Sequence, residues 1–211
     1  MPNRETVILV HGLWMTSLVM WPLAQRLKHC ALQPKLFNYH SLRKTIHANA
    51  QSLAQTVRQQ PPGPVHLVGH SLGGLVILQA LQDEPALIDG RVVLLGSPVN
   101  GSVVARRLYR RELSRWLVGR GAEGRLAWGG GDWHGQQQLG IIAGTRPIGV
   151  GHALGGLTGP NDGTVTVAET RLAGCTDTLQ IDTTHTGLMV SHAVAQATCR
   201  FLHDGRFSGS T

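Results

Sequence analysis

The stretch VHLVGHSLGGL, residues 65–75, decides how the rest of the sequence is interpreted. Its first part is an apolar run typical of a buried strand, and its second part begins a run with the composition of a buried helix. Ser71 lies at the junction, within Gly-His-Ser-Leu-Gly, and is predicted to occupy a sharp strand-to-helix turn that exposes its hydroxyl. The alternative is a glycine-rich junction without chemistry. Glycine supplies 27 of the 211 residues, so the motif alone does not decide between them.

Gly69 and Gly73 favour a strained turn with a reactive serine. Side chains two positions before and after such a serine would collide with the turn, and glycine removes that collision. The helix N-terminus also adds partial positive charge near the serine oxygen. A phosphate-binding loop is excluded, because GHSLGG matches neither Gly-x-Gly-x-x-Gly nor a loop ending in Gly-Lys-Ser/Thr.

Strand-like and helix-like segments alternate along the chain. The strand-like segments are residues 6–12, 34–40, 65–69, 91–97, 138–144 and 179–182, and helical patterns lie between them and after the last. The alternation predicts an α/β fold with a mostly parallel central sheet and helices on both faces. In such a fold, ligands bind beyond the carboxyl ends of the strands, which is where Ser71 is placed.

Length and composition predict one domain over residues 1–205 and a loose tail over 206–211. The N-terminal sequence lacks the pattern of a secretory signal, and no segment has the 18 or so apolar residues of a membrane span. The cysteines are odd in number and widely spaced: Cys30, Cys175 and Cys199. They are interpreted as reduced thiols, and the chain is expected to be cytoplasmic.

The formal net charge of +7 comes mostly from arginine, which is concentrated in residues 105–120, ARRLYRRELSRWLVGR. On a helix, Arg106, Arg107, Arg110 and Arg111 would share the side that faces water. A weak association with an anionic membrane surface is one interpretation, and a solvated helix face is the favoured one. Nucleic-acid binding is not expected, because no recognised nucleic-acid fold surrounds the stretch.

A serine needs a base to take its proton and a third group to orient that base. Among eleven histidines, His185 follows the last predicted strand and precedes the last helix, at the same sheet edge as Ser71. His70 is expected to point sideways from the turn and to be structural. His11 is better placed to shape the first loop, and His192 lies within the closing helix.

Three aspartates are candidates for the orienting acid. Asp162 lies in the loop GPNDGTVTV after the fifth strand, at the expected edge, although an ordinary Asn-Asp-Gly turn is the alternative. Asp132 precedes that strand and is the weaker candidate. Asp182 lies only three residues before His185, which is an awkward reach for orienting the ring.

Stabilising an oxyanion requires two backbone N–H groups aimed at one point. Leu72, directly after the serine, supplies one of them. Leu13 supplies the other from the loop VHGLW after the first strand, where Gly12 permits the bend. Trp14 adjoins this loop and, with both leucines, favours substrates with apolar acyl groups.

Five segments together, VILVHGLW, VHLVGHSLGGL, LLGSPVNGS, GPNDGTVTV and THTGL, resemble the α/β-hydrolase superfamily, and within it the small bacterial lipases and esterases without a lid. The order Ser71, Asp162, His185 is the triad order of that superfamily. The resemblance implies hydrolysis of small-molecule carboxylic esters through an acyl-enzyme intermediate, with no metal or organic cofactor. It also implies that Ser97 and Pro98 shape the acyl pocket.

Two segments depart from the family pattern: one replaces the lid of the larger lipases, and the other, residues 144–157, is longer than a minimal hydrolase needs. Where the larger lipases carry a bulky lid, this chain has the arginine-rich stretch and then a glycine-rich one, so residues 103–118 form at most a modest cap. Residues 144–157 are expected to form a mobile loop beside the site. A thioesterase or acyltransferase would use the same triad, and a non-catalytic binding protein on this fold would have no need of it.

Overall fold

The computed structural model describes residues 5–105, 132–149 and 157–208. Within these ranges six strands form one sheet in the order β2-β1-β3-β4-β5-β6, and every neighbouring pair is parallel. The strands are β1 Thr6–Val10, β2 Gln33–Phe37, β3 Val65–His70, β4 Val92–Leu95, β5 Leu139–Gly144 and β6 Asp177–Ile181. The predicted α/β fold with a parallel central sheet is thereby confirmed.

The sequence pattern of each strand matches its position in the sheet. The four central strands, β1, β3, β4 and β5, are buried at every residue and are mostly apolar, apart from the two histidines of β3. The edge strands β2 and β6 alternate between more and less exposed residues. Strands covered on both faces need apolar side chains on both, whereas an edge strand has one solvated face.

Helices cover both faces of the sheet. Their bounds are α1 Trp21–Lys28, α2 Ile46–Arg58, α3 Leu72–Asp83, α4 Val167–Thr170 and α5 His192–Asp204. The apolar faces of α2 and α3 belong to one core cluster, and those of α1 and α5 belong to the cluster on the opposite face. Side chains cap three of these helices: Thr45 accepts a hydrogen bond from the Ala48 N–H, Thr166 from the Glu169 N–H and Ser191 from the Val194 N–H.

The end of the chain is more ordered than the sequence predicts. Phe207 is buried, its ring lies 4.8 Å from that of Phe201, and its N–H donates to Asp177. Phe207 therefore packs against the sheet, whereas Arg206 and Ser208 on either side of it are exposed. Residues 209–211 lie outside the described part of the chain.

The cysteine interpretation is corrected by the structure. Cys30, just after α1, forms a disulfide with Cys199 on α5, whereas Cys175 is free and half-buried. The two α-carbons lie 6.1 Å apart, within the usual range for a disulfide. The pair could not be predicted from the sequence, because the two cysteines are 169 positions apart and only the packing of α1 against α5 brings them together.

Two predicted features lie outside the described residues in whole or in part. Arg106, Arg107, Arg110 and Arg111 all fall between residues 106 and 131, and the predicted mobile loop is described only at residues 144–149 and 157. No helix in the described ranges has the length and apolar character needed to cross a membrane.

Candidate active site

Ser71 occupies a strained turn between β3 and α3. Its φ is 53° and its ψ is −121°, a conformation that few residues other than glycine adopt. Serine in this position normally caps the helix with its side chain, yet Ser71 makes no such bond. The Ser71 N–H donates to the Leu95 carbonyl at 2.9 Å, which fixes the turn against β4.

The glycines around this turn allow backbone segments to approach closely. A Cβ on Gly73 would lie 2.3 Å from the Val10 carbonyl oxygen, and one on Gly69 would lie 2.6 Å from the Gly74 nitrogen. Both distances are far below van der Waals contact. The structure therefore gives Gly69 and Gly73 the steric role that the sequence suggested.

Asp162 and His185 form a buried hydrogen-bonded pair at the same edge of the sheet. The His185 Nδ1–H donates to Asp162 Oδ2 at 2.7 Å, and the His185 backbone N–H donates to the Asp162 carbonyl at 2.9 Å. Both side chains are largely shielded from solvent. The carboxylate can only accept, so Nδ1 carries the proton and Nε2 is left as the basic nitrogen.

The Asp162 carboxylate is itself held by its own loop. Its Oδ1 accepts hydrogen bonds from the Thr164 N–H at 2.9 Å and the Val165 N–H at 2.7 Å. The Asn-Asp-Gly segment is therefore a turn, which was the alternative to a catalytic role for Asp162. The same turn fixes the carboxylate that meets His185.

The end of β4 connects the serine turn to the Asp162–His185 pair. Leu95 accepts the hydrogen bond from Ser71, and the next residue, Gly96, lies beneath the pair. A Cβ on Gly96 would lie 3.1 Å from Asp162 Oδ2 and 3.2 Å from His185 Nδ1. Among the described residues no hydrogen bond joins the Ser71 hydroxyl to His185. Such contacts are commonly loose without substrate.

The first loop passes beside the serine. A Cβ on Gly12 would lie 3.1 Å from the Ser71 Cβ, so this loop and the start of α3 adjoin the same point. Leu72 is the buried first residue of α3, and Leu13 is half-buried against the core. Trp14 has a positive φ of 60° and is half exposed on the rim of the site.

Two residues predicted to shape the pocket are buried. Ser97 is fully buried, and its Oγ donates a long hydrogen bond of 3.5 Å to the Gly69 carbonyl. A Cβ on Gly74 would collide with Ser97 Oγ, which places Ser97 beneath the serine turn. Pro98 is also buried.

The other candidate acids lie away from the pair. Asp182 is exposed and makes two hydrogen bonds to the Arg146 guanidinium, and these bonds lower the pKa of the carboxyl. Asp132 is exposed and precedes β5, so it lies toward the opposite edge of the sheet.

The other candidate histidines occupy three different environments. His11 is buried, its ring stacks on Tyr39 with centroids 4.3 Å apart, and burial lowers its pKa. His192 is exposed at the start of α5. His70 is fully buried, and burial lowers its pKa to about 3.

Two glycines that sequence reasoning did not single out make room for the acid and the base. Gly96 follows β4, and Gly144 ends β5, where a Cβ would lie 2.7 Å from that of Asp162 and 2.6 Å from the Thr183 carbonyl oxygen. The available signal was a glycine at the end of a buried strand, in LLGS and IIAGT. Such a glycine often marks a close approach by another segment.

A parallel sheet that presents a serine on a strained strand-to-helix turn, with an Asp–His pair at the same edge, defines a class of hydrolase-like α/β proteins. The chain belongs to the alpha/beta hydrolase family, whose family model matches residues 7–140. No curated protein matches the sequence significantly.

Several solved structures share the fold at low sequence identity. Bacillus licheniformis lipase BlEst2 in its mature form matches with a TM-score of 0.70 and 20% identity, over 95% of this chain and 91% of that one. In its propeptide form the TM-score is 0.74 at 21% identity, over 90% of this chain and only 48% of that one. The chain thus spans about half of that longer form.

Two further structures come from enzymes with different substrates. The metagenomic carboxyl esterase MGS0156 matches with a TM-score of 0.65 and 18% identity, over 88% of this chain and 65% of that one. The type II thioesterase BorB, from the borrelidin biosynthetic cluster, matches with a TM-score of 0.67 and 18% identity, over 96% and 92%. These likenesses establish the fold and leave the substrate open.

Proposed function

We propose that this protein is a serine hydrolase of carboxylic esters, of the carboxylesterase or lipase type, with Ser71 as nucleophile, His185 as base and Asp162 as the orienting acid. The observation that carries the proposal is the strained turn at Ser71, whose hydroxyl is not used to cap α3. A buried Asp162–His185 hydrogen bond of 2.7 Å at the same sheet edge supports it.

In the proposed reaction, His185 Nε2 takes the proton of the Ser71 hydroxyl as the oxygen attacks the ester carbonyl carbon. Asp162 keeps the other ring nitrogen protonated and stabilises the imidazolium that forms. His185 then returns the proton to the departing alcohol, which leaves an acyl-serine. Water attacks this intermediate in the same way, releasing the acid and restoring Ser71.

The negative charge of the tetrahedral intermediates would be met by the backbone N–H groups of Leu13 and Leu72. Leu72 begins α3, where the helix N-terminus adds partial positive charge. The first loop passes close to Ser71 at Gly12, so the neighbouring Leu13 lies near the serine as well. Donors fixed in advance at the oxyanion typically account for about 2.7–4 kcal/mol of barrier lowering each.

Exposed apolar side chains favour substrates with apolar acyl groups. The large hydrophobic residues that are exposed in the described part of the chain all lie in segments that leave the carboxyl ends of strands: Trp14, Leu18, Trp21, Leu42, Ile148 and Val190. They therefore flank the edge that holds Ser71. Both Ser97 and Pro98 are buried, and their role in shaping the acyl pocket stays a prediction.

The test is labelling with a fluorophosphonate probe, combined with hydrolysis of p-nitrophenyl esters of increasing acyl length. Wild type should be labelled and should prefer one range of acyl lengths. Ser71→Ala should lose labelling and retain less than about 0.1% of kcat, since its nucleophile is gone, while its circular dichroism stays unchanged. Retention of more than a few per cent of activity by a pure Ser71→Ala sample would contradict the assignment.

A thioesterase or acyltransferase is the second candidate. The likeness to the type II thioesterase BorB over 96% of this chain is the observation that favours a thioesterase, and an acyltransferase would use the same three residues. Matched oxoester and pantetheine thioester substrates with the same acyl group separate these activities. A kcat/KM at least tenfold higher for the thioester would favour the thioesterase. Transfer to an added alcohol in preference to water would favour the acyltransferase.

Two further expectations concern the surroundings of the protein. Weak association with an anionic membrane through Arg106, Arg107, Arg110 and Arg111 stays a prediction, as does the cytoplasmic location. The Cys30–Cys199 disulfide argues against the latter, because disulfides persist mainly in oxidising compartments.

A further inference from the structure

His70 connects the serine strand to the base. It is the last residue of β3, directly before Ser71, and its side chain is fully buried. Its Nε2 lies 2.9 Å from the backbone carbonyl oxygen of His185, and the centroids of the two imidazole rings lie 4.6 Å apart. A carbonyl oxygen can only accept, so Nε2 of His70 carries the proton.

His185 is held at three points, and His70 supplies one of them. Asp162 accepts from the ring Nδ1–H and, through its carbonyl, from the backbone N–H of His185. Both of these contacts tie His185 to the loop after β5. In the described part of the chain, the hydrogen bond from His70 is the one that ties the His185 segment to the strand carrying Ser71.

The opposite side of the His70 ring faces the first loop. A Cβ on Gly12 would lie 3.1 Å from His70 Nδ1, so the ring lies between the Gly12 loop and His185. Nδ1 is buried and has no hydrogen-bond partner among the described residues. An apolar side chain would fill this space without an unpaired acceptor, whose burial destabilises the folded protein. The donor on the other nitrogen is the feature that packing alone does not explain.

His66 provides a contrast on the same strand. It is also buried, yet both of its ring nitrogens are paired: one with Glu5 at 3.1 Å and one with the Arg91 N–H at 2.9 Å. These partners lie at the amino edge of the sheet, away from Ser71. Burial lowers the pKa of both His66 and His70, so the two are alike in charge and differ in what they bind.

We infer that His70 is a positioning residue: its Nε2–H bond to the His185 carbonyl fixes the base relative to the Ser71 hydroxyl. The inference rests on the proposed function, in which His185 takes the proton of Ser71. Without this bond, His185 would keep its contact with Asp162 but would drift relative to the nucleophile. A displacement of about 1 Å can reduce the rate of a positioned reaction about a hundredfold.

The kinetic experiment compares His70→Gln, His70→Asn and His70→Leu with wild type. Gln carries an amide N–H at about the reach of Nε2, Asn carries one that falls short, and Leu carries none. We expect kcat for a p-nitrophenyl ester to fall about 10- to 100-fold in Asn and Leu, with KM within about twofold, and Gln to recover to within about threefold of wild type. Equal losses in folded Gln and Asn variants would overturn the inference, as would a kcat within twofold of wild type in Asn.

His66→Leu is the matched control, since it removes a buried histidine from the same strand. We expect its kcat per folded molecule to stay within about twofold of wild type, even if its melting temperature falls. A loss of kcat equal to that of His70→Leu would mean that buried histidines on β3 act through general packing, which would overturn the inference.

A spectroscopic readout separates this inference from the proposed function. His185-Thr186 is the only His-Thr dipeptide in the sequence, so labelling histidine carbonyls with ¹³C and threonine amides with ¹⁵N gives one HNCO cross-peak, which reports the His185 carbonyl. The peak should move in His70→Asn and His70→Leu and return toward its wild-type position in His70→Gln. An unmoved peak in all three would overturn the hydrogen bond itself. If wild type neither hydrolyses esters nor reacts with the fluorophosphonate, the proposed function fails whatever the peak does.

Discussion

The two edges of the sheet carry different kinds of residue. At the carboxyl edge lie the strained serine turn, the buried Asp162–His185 pair and the exposed apolar side chains. At the amino edge Arg91 donates to the last carbonyls of α5, from Leu202 and His203, and His66 is fully paired. Changes at the carboxyl edge should therefore alter the reaction rate, and changes at the amino edge should alter stability.

Most exposed carboxylates follow the same division. In the described ranges the exposed Asp83, Asp89, Asp132 and Asp204 lie in segments that lead into the amino ends of strands or end a helix there. At the carboxyl edge the exposed carboxylate of Asp182 is paired with Arg146. An unpaired carboxylate near Ser71 would disfavour an oxyanion there, because like charges repel. The described exposed carboxylates lie away from that edge or, as with Asp182, are paired.

The sharpest test of this division compares two aspartates at the carboxyl edge itself. Asp162→Asn should lower kcat about 10³- to 10⁴-fold, because an amide no longer fixes the tautomer of His185 or stabilises its charged form. Asp182→Asn should leave kcat within about twofold, since Asp182 is exposed, makes its ion pair with Arg146 in solvent and, among the described residues, does not contact His185 through a hydrogen bond. Steady-state kinetics on one p-nitrophenyl ester measures both.

Asp132→Asn extends the comparison to an exposed acid at the amino edge. Its kcat should also match wild type. Comparable losses in all three variants would remove Asp162 from its proposed role. A large loss in Asp182→Asn alone would assign the role of orienting acid to Asp182 instead of Asp162.

Much of this site followed from the topology that the sequence predicts. Parallel strands end at one edge, so residues just after β3, β5 and β6 are expected to lie close together. Ser71, Asp162 and His185 each follow one of these strands, and the structure brings the last two into contact. Strand bounds were less predictable: β2 ends at Phe37, and Tyr39 turns away to donate to the His11 carbonyl.

Contacts between distant segments were beyond sequence reasoning. The bond from His70 to His185 spans 115 positions, and the Cys30–Cys199 disulfide spans 169. Periodicity shows which face of a helix is buried, but it does not show which residue of another helix that face meets. The contact between Phe207 and Phe201 was not predicted either, because a single aromatic residue near the chain end has no periodic pattern that would place it on the sheet.

The disulfide tests the stability side of the comparison. Removing it by Cys30→Ser with Cys199→Ser should lower the free energy of unfolding by about 2–4 kcal/mol, since the bond closes a long loop. The kcat should stay within about twofold, because Cys30 follows α1 at the end of that helix remote from Ser71. Urea unfolding followed by circular dichroism measures the first quantity, and ester hydrolysis measures the second.

Cys175→Ser is the control for this change, because Cys175 is free and half-buried. Its free energy of unfolding should stay within about 1 kcal/mol of wild type. Thiol titration of the unreduced wild-type protein in urea should find one free thiol, and three would contradict the disulfide. In the Cys30→Ser, Cys199→Ser variant, a tenfold loss of kcat would contradict the division between the two edges of the sheet.

The smallest expected effect concerns the exposed apolar side chains at the carboxyl edge. Leu18 is 70% exposed in the segment that leads from the first loop into α1. Leu18→Ser should raise KM about two- to fivefold for long-chain esters and leave acetate esters unchanged. Leu18 lies beyond the loop that adjoins Ser71, so we expect only a long acyl chain to contact it, and each buried CH₂ contributes about 0.8 kcal/mol. Ala86→Ser, an exposed position at the amino edge, should change neither. An equal rise in KM for acetate would instead indicate a change in the loop that carries Leu13.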